Sequence, residues 1–194
     1  MWIEIFGVVT GILYVILEVK QNRFLWPLGI ITSAAYIYIF FNGKFYADMG
    51  LQVYYVLISI YGWYYWSRGG DRADSGELPV VRINRQQLLL LFLTFALAWA
   101  GIYFVLDRYT DSTVPLGDSF TTALAIVATW MLTRKIIEQW FLWIIANVVS
   151  IGLYIYKGLY PTVILYAVYA GMAVYGYMEW KRSMNKKLED EGGA

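Results

Sequence analysis

The chain contains no cysteine, no histidine and only four prolines, and its charges are sparse, with 15 basic and 14 acidic residues among 194. Without cysteine there is no disulfide framework and no thiolate metal site. With histidine also missing, an enzyme built on this chain would have to rely on carboxylates, and no cluster of them stands midway along an apolar stretch. The acids Glu4, Glu18, Glu138 and Glu179 gather instead near the ends of such stretches, which weakens any scheme of proton or sodium coupling. No nucleotide-binding loop of the G-x-x-x-x-G-K-[ST] type is present, and GGDRADSG around Gly69 is a polar connection. No cofactor is expected, and a net charge of +1 gives no ground for a nucleic-acid partner.

What the chain has in abundance is apolar surface. Hydrophobic types make up 60% of it and charged types 15%, with a mean hydropathy of +0.52, against about 45–50% and about 25% in soluble domains. A hydrocarbon core about 30 Å thick takes about 20 apolar residues per helix. Seven stretches qualify: 2–19, 24–41, 47–66, 87–106, 119–134, 138–156 and 161–180. The first has no positive flank and no small-residue cleavage site at Val19-Lys20-Gln21, so it reads as a retained span, not a signal peptide. Pro27 and Pro161 fall at the starts of helices, where proline is tolerated.

Seven spans put the loops after the first, third and fifth helices on the side of the C-terminus. That side holds Lys20, Arg23, Arg68, Arg72, Arg82, Arg85, Arg134, Lys135, Lys181, Arg182, Lys186 and Lys187, and the other only Lys44, Arg108 and Lys157. Such an excess places the C-terminus in the cytoplasm and the N-terminus outside.

Two parts of the chain resemble one another. Phe24-Leu25-Trp26 can be laid over Phe141-Leu142-Trp143, Tyr46 over Tyr160, Leu51 over Leu165, and Tyr61-Gly62 with Trp66 over Tyr175-Gly176 with Trp180, given a three-residue gap. The expected fold is therefore an all-α integral membrane protein of seven transmembrane helices, arranged 3+1+3 with two parallel triple-helix repeats. Its parts are a first repeat at 1–66, a cytoplasmic linker at 67–86, a connector helix at 87–106, an external loop at 107–118, a second repeat at 119–180 and a cytoplasmic tail at 181–194.

Polar and aromatic residues lie in stripes on these helices. Trp140, Trp143, Asn147, Ser150 and Tyr154 follow spacings of 3 and 4, which gather them on one face of the sixth helix. Gln52, Tyr55, Ser59, Trp63 and Trp66 do the same on the third. Asn147 falls near the centre of its span, where an unpaired amide costs several kcal/mol. Such groups can simply hydrogen-bond one helix to the next, and a structural membrane protein with no solute path would use them so. A row of two indoles, an amide and two hydroxyls suits equally the wall of a path for a planar, partly polar heterocycle, and a delocalised cation would gain from cation–π attraction. With no energy source in the sequence, the path reads as a facilitator, with repeats rocking about a mid-membrane site.

The run Met131 to Tyr160, MLTRKIIEQWFLWIIANVVSIGLYIYKGLY, with KFYADMGLQVYY at Lys44 to Tyr55 and IYGWYYW at Ile60 to Trp66, resembles the PnuC family of bacterial vitamin transporters over nearly the whole chain. Its most specific part is W-x-x-W-x-x-x-N at Trp140, Trp143 and Asn147, preceded by Arg134, Lys135, Glu138 and Gln139. The resemblance implies facilitated diffusion of nicotinamide riboside, trapping by a cytoplasmic kinase, a fold related to full-length SWEET-type transporters, and a homotrimer. It also implies roles: Trp140 and Trp143 bracket the ring, Asn147 and Gln139 bond amide or sugar, Ser150 shares their face, and Gln52, Tyr55 and Tyr36 complete the opposite wall. Ile30 maps onto Asn147 in the gapped overlay, so the half-sites differ. Thiamine and riboflavin, carried by relatives of the family, are the alternative solutes.

Overall fold

The computed structural model describes residues 2–43, 46–69 and 78–192. Lys44, Arg72 and the middle of the expected linker, 70–77, lie outside these. Seven helices follow in order: α1 (Trp2–Val19), α2 (Leu25–Gly43), α3 (Tyr46–Ser67), α4 (Arg85–Tyr109), α5 (Pro115–Thr133), α6 (Gln139–Tyr156) and α7 (Tyr160–Gly192). Each overlays one of the seven apolar stretches. Five are long and apolar enough to cross a membrane: Leu25–Asn42, Arg85–Tyr109, Pro115–Thr133, Gln139–Tyr156 and Tyr160–Lys187. The apolar part of α1 is shorter, Ile5–Val19, and α3 is diluted by Asp48, Gln52 and its many tyrosines, whose rings are apolar but whose hydroxyls are not.

The ends differ from the sequence expectation for identifiable reasons. Pro115 occupies the first turn of α5, where its missing N–H costs nothing, so α5 begins before 119 and the external connection shrinks. Asn84 caps α4 through a capping box: its side chain accepts the Gln87 N–H at 2.8 Å while the Gln87 side chain accepts the Asn84 N–H at 3.1 Å. Hydropathy ends near Trp180, yet α7 continues to Gly192, because Met, Lys, Leu and Glu favour helix even when solvated; the expected tail is mostly helical.

The chain divides into two compact units, 1–79 and 80–194. In the first, α2 lies along α3 and makes a smaller contact with α1. In the second, α4 packs on α5, α5 on α6 and α6 on α7. Leu91, Val127, Met131 and Ile136 form a buried apolar core in the second unit, with Phe95, Trp130 and Leu142 packed around it. Phe120 meets Phe95 and Trp99 edge-on at 5.5 and 5.3 Å, which fastens α4 to α5.

The turn from α1 to α2 and that from α5 to α6 are built alike. Gln21 and Lys135, 114 positions apart, both take positive φ, 53° and 49°. Each is the left-handed residue that ends a helix in a Schellman arrangement: the Gln21 N–H donates to Glu18 O and the Asn22 N–H to Leu17 O, while Lys135 donates to Leu132 O and Ile136 to Met131 O, all at 2.8–3.0 Å. Leu25 to Asn22 and Trp26 to Arg23 are repeated by Gln139 to Ile136 and Trp140 to Ile137. The ring of Trp26 covers Gly62 and stands edge-on to Trp66; that of Trp140 covers Gly176 and stands edge-on to Trp180. One ungapped offset of 114 relates all these pairs. It corrects the gapped overlay, in which the recurrence of Phe-Leu-Trp drew Trp26 onto Trp143, three residues too far.

Candidate functional site

The expected site residues fall into two groups, Gln139, Trp140, Trp143, Asn147 and Ser150 in the second unit and Tyr36, Gln52 and Tyr55 in the first. Those of the second unit all stand on α6, whose start is fixed by the Schellman turn. Gln139 is fully buried, and Trp140 is only 1% exposed. Gly176 lets the Trp140 ring lie directly on the backbone of α7, so this indole sits inside the α6–α7 seam. Trp143, one turn on, is half-buried. The indole N–H groups of Trp140 and Trp143 are both buried and have no hydrogen-bond partner among the described residues.

Asn147 is the ninth of eighteen residues in α6 and is 7% exposed. Ser150, one turn further along, is 6% exposed. Leaving a buried donor or acceptor unmet costs about 1–3 kcal/mol each. This helix therefore presents two indole donors that the fold itself does not satisfy, followed by a buried amide and a buried hydroxyl side chain. Tyr154 ends the stripe against Tyr166, centroids 4.9 Å apart.

In the first unit, the Tyr36 hydroxyl reaches Gly7 of α1, and its ring stacks on Phe40 at 5.7 Å and 27°. Gln52 and Tyr55 share one face of α3, both half-buried, with Tyr55 beside Tyr54 at 5.5 Å. Gly29 admits Tyr14 and Ser59: a Cβ there would stand 3.2 Å from the Tyr14 ring and 3.0 Å from Ser59 Oγ. With the offset of 114, Asn147 corresponds to Ser33, which is buried, instead of Ile30, and Trp143 to Gly29. Sequence reasoning missed Ser33, and the ungapped spacing of Gln21 and Lys135 was the signal that would have found it.

No group of three or more acidic, histidine or cysteine residues able to hold a metal occurs among the described residues. Five helices long and apolar enough to cross a bilayer define a multi-pass membrane protein, and the buried indole N–H groups of α6 place polar atoms without a partner inside one of its spans. The model of the family described as nicotinamide mononucleotide transporter matches residues 1–182, and the chain belongs to that family. Membership places it among transporters and not enzymes.

Its relatives include the nicotinamide riboside transporter PnuC of Escherichia coli, 28% identical over 96% of this chain and 87% of the relative. PnuC of Neisseria mucosa is 26% identical over 95% and 74%, and the riboflavin/roseoflavin transporter RibM of Streptomyces davaonensis 23% over 92% and 84%. Among solved structures, the crystal structure of the vitamin B3 transporter PnuC aligns with a TM-score of 0.73 and 26% identity, over 95% of this chain and 83% of that one. These agree with the resemblance carried by Trp140, Trp143 and Asn147.

Proposed function

We propose that the chain carries nicotinamide riboside down its gradient across the membrane. The observation that carries this reading is the buried, unpartnered indole N–H of Trp143, one turn from Asn147, an amide at the centre of a membrane helix that is 7% exposed. A carboxamide-bearing pyridinium offers a flat cationic face for the indole and donor and acceptor atoms for the amide. Trp140, Gln139 and Ser150 on α6 support this solute. Phosphorylation by a cytoplasmic kinase then keeps the solute inside, since no coupling ion is provided for.

A 3+1+3 plan of two parallel repeats is supported by the offset of 114 shared by the Schellman turns and the tryptophan pairs. In that plan α1 and α3 span the bilayer as well, the N-terminus is external, the C-terminus is cytoplasmic and the assembly is a homotrimer. The second reading is riboflavin transport, favoured by the likeness to RibM.

Calorimetry of the purified protein with nicotinamide riboside, thiamine and riboflavin separates the readings. The riboside is expected to bind at least about tenfold more tightly than the others. Preferred binding of riboflavin or thiamine transfers the proposal to that solute, and no binding of any of them removes it.

A further inference from the structure

Between the two units' sequence-equivalent turns there is one structural difference. The segment Val81 to Ile83, just before α4, runs alongside the α5–α6 turn and forms the one isolated β-bridge among the described residues, Val81 with Ile136 in parallel sense. The Val81 N–H donates to Lys135 O at 3.0 Å, and the Ile137 N–H donates to Val81 O at 3.0 Å. Two residues on, the Ile83 N–H donates to the Glu138 carboxylate at 3.0 Å. The side chains of Val81 and Ile83 pack on the core of Leu91, Val127, Met131 and Ile136.

Glu138 is the residue that precedes α6, and a side chain there ordinarily caps its own helix. This one makes no cap bond to α6 and reaches 55 residues back in sequence instead. Directly after Ile83, Asn84 begins α4 through its capping box. The start of α4 and the start of α6 are thus joined by three hydrogen bonds and a shared apolar core. At the corresponding place in the first unit stands Phe24, which is 57% exposed and has no carboxylate to offer.

We propose that Val81 to Ile83 is a brace closed by Glu138, which fixes the first turn of α6 to α4, and that Glu138 is a positioning residue for the solute-binding stripe that follows it. The carboxylate acts as a hydrogen-bond acceptor. This rests on the reading of α6 as the solute helix, but the brace itself is measurable without any solute.

Amide hydrogen exchange on the full-length protein in nanodiscs tests it, together with nicotinamide riboside affinity and uptake between pH 5.5 and 8. In the parent, the Val81, Ile83 and Ile137 amides should be protected as well as those inside α6, and more than those at residues 20–24. Glu138→Ala should raise exchange at Ile83 by about tenfold and weaken riboside binding by about tenfold, with the maximal uptake rate within about twofold of the parent. Glu138→Gln, which keeps an acceptor oxygen, should restore both, with the pH profile unchanged.

Fast exchange of these amides in the parent overturns the brace, and so does unchanged exchange in Glu138→Ala. Loosened exchange with unaltered affinity, or a Gln variant as weak as the Ala variant, overturns the positioning role. If the parent itself does not bind the riboside, the transport reading fails and the positioning role with it, while the exchange data still decide the brace. If Glu138→Ala does not fold, the parent protection pattern and the Gln variant decide it.

Discussion

The indole of Trp140 stands edge-on to that of Trp180, with centroids 5.5 Å apart and planes at 90°. Trp26 and Trp66 repeat this at 5.5 Å and 88°. In both places the ring can enter only because a glycine of the facing helix, Gly176 or Gly62, leaves the backbone bare. The two seams are thus set by the absence of a methyl group.

Gly176→Ala is therefore expected to force Trp140 off its seat and to destabilise the protein by about 1–3 kcal/mol, the usual cost of overpacking a filled interior. Thermal unfolding in detergent measures it. Gly152→Ala serves as the control, because nothing stands within 4 Å of a Cβ there and alanine favours helix. Equal behaviour of the two variants would mean that the seam yields without strain.

Asn147→Leu keeps the branched shape of the side chain and removes the amide. Riboside affinity is expected to fall at least about tenfold, equivalent to about 1.4 kcal/mol, with the unfolding temperature equal to or above that of the parent. The sign of the stability change follows from exchanging a buried amide for an apolar group inside a membrane helix. A variant that unfolds early but binds normally would make Asn147 a helix-joining group.

The Lys157 ammonium lies 3.1 Å from both oxygens of Asp118, joining the end of α6 to the first turn of α5, and the Ser112 hydroxyl donates to the same carboxylate at 2.9 Å. Both side chains keep access to solvent, 25% and 32%, so water and salt screen the pair. A double-mutant cycle with Asp118→Asn and Lys157→Gln is expected to give a coupling of about 0.5–1 kcal/mol that shrinks at high salt. A coupling above about 2 kcal/mol, indifferent to salt, would identify a dry ion pair instead.

The two left-handed residues should respond unequally to glycine. Gln21→Gly relieves the backbone penalty at φ 53° and is expected to be neutral or stabilising by up to about 1 kcal/mol. Lys135→Gly relieves the same penalty but removes a side chain that is buried, so it is expected to destabilise. Unfolding temperatures of the two variants, compared side by side, check the order.

Hydropathy made all seven helices legible, because a bilayer demands long apolar runs and the loops between them are short. Pro27 and Pro161 were readable for the same local reason, both in first turns, whereas Pro115, placed in the external loop, proved to start α5. The brace was invisible: three residues of β-type backbone have no periodicity to detect, and their partners stand more than 50 positions away. The overlay failed because composition in membrane helices is so restricted that Phe-Leu-Trp recurs by chance, whereas the true register is carried by backbone angles at Gln21 and Lys135. Of the site, the α6 stripe was legible from its spacing, but the enclosure of Trp140 by α7 depends on Gly176, which a pattern confined to one helix cannot reveal.

Along α4, Leu88, Leu89, Leu90, Phe92, Leu93 and Leu97 are all more than half-exposed or close to it, whereas Leu91, Phe95 and Trp99 make the attachments to α5. Acyl chains do not distinguish one leucine from another. The outward surface of this helix is accordingly free to drift among Leu, Ile, Val and Phe over evolutionary time, so the segment should tolerate wholesale randomisation provided those three anchors stay put.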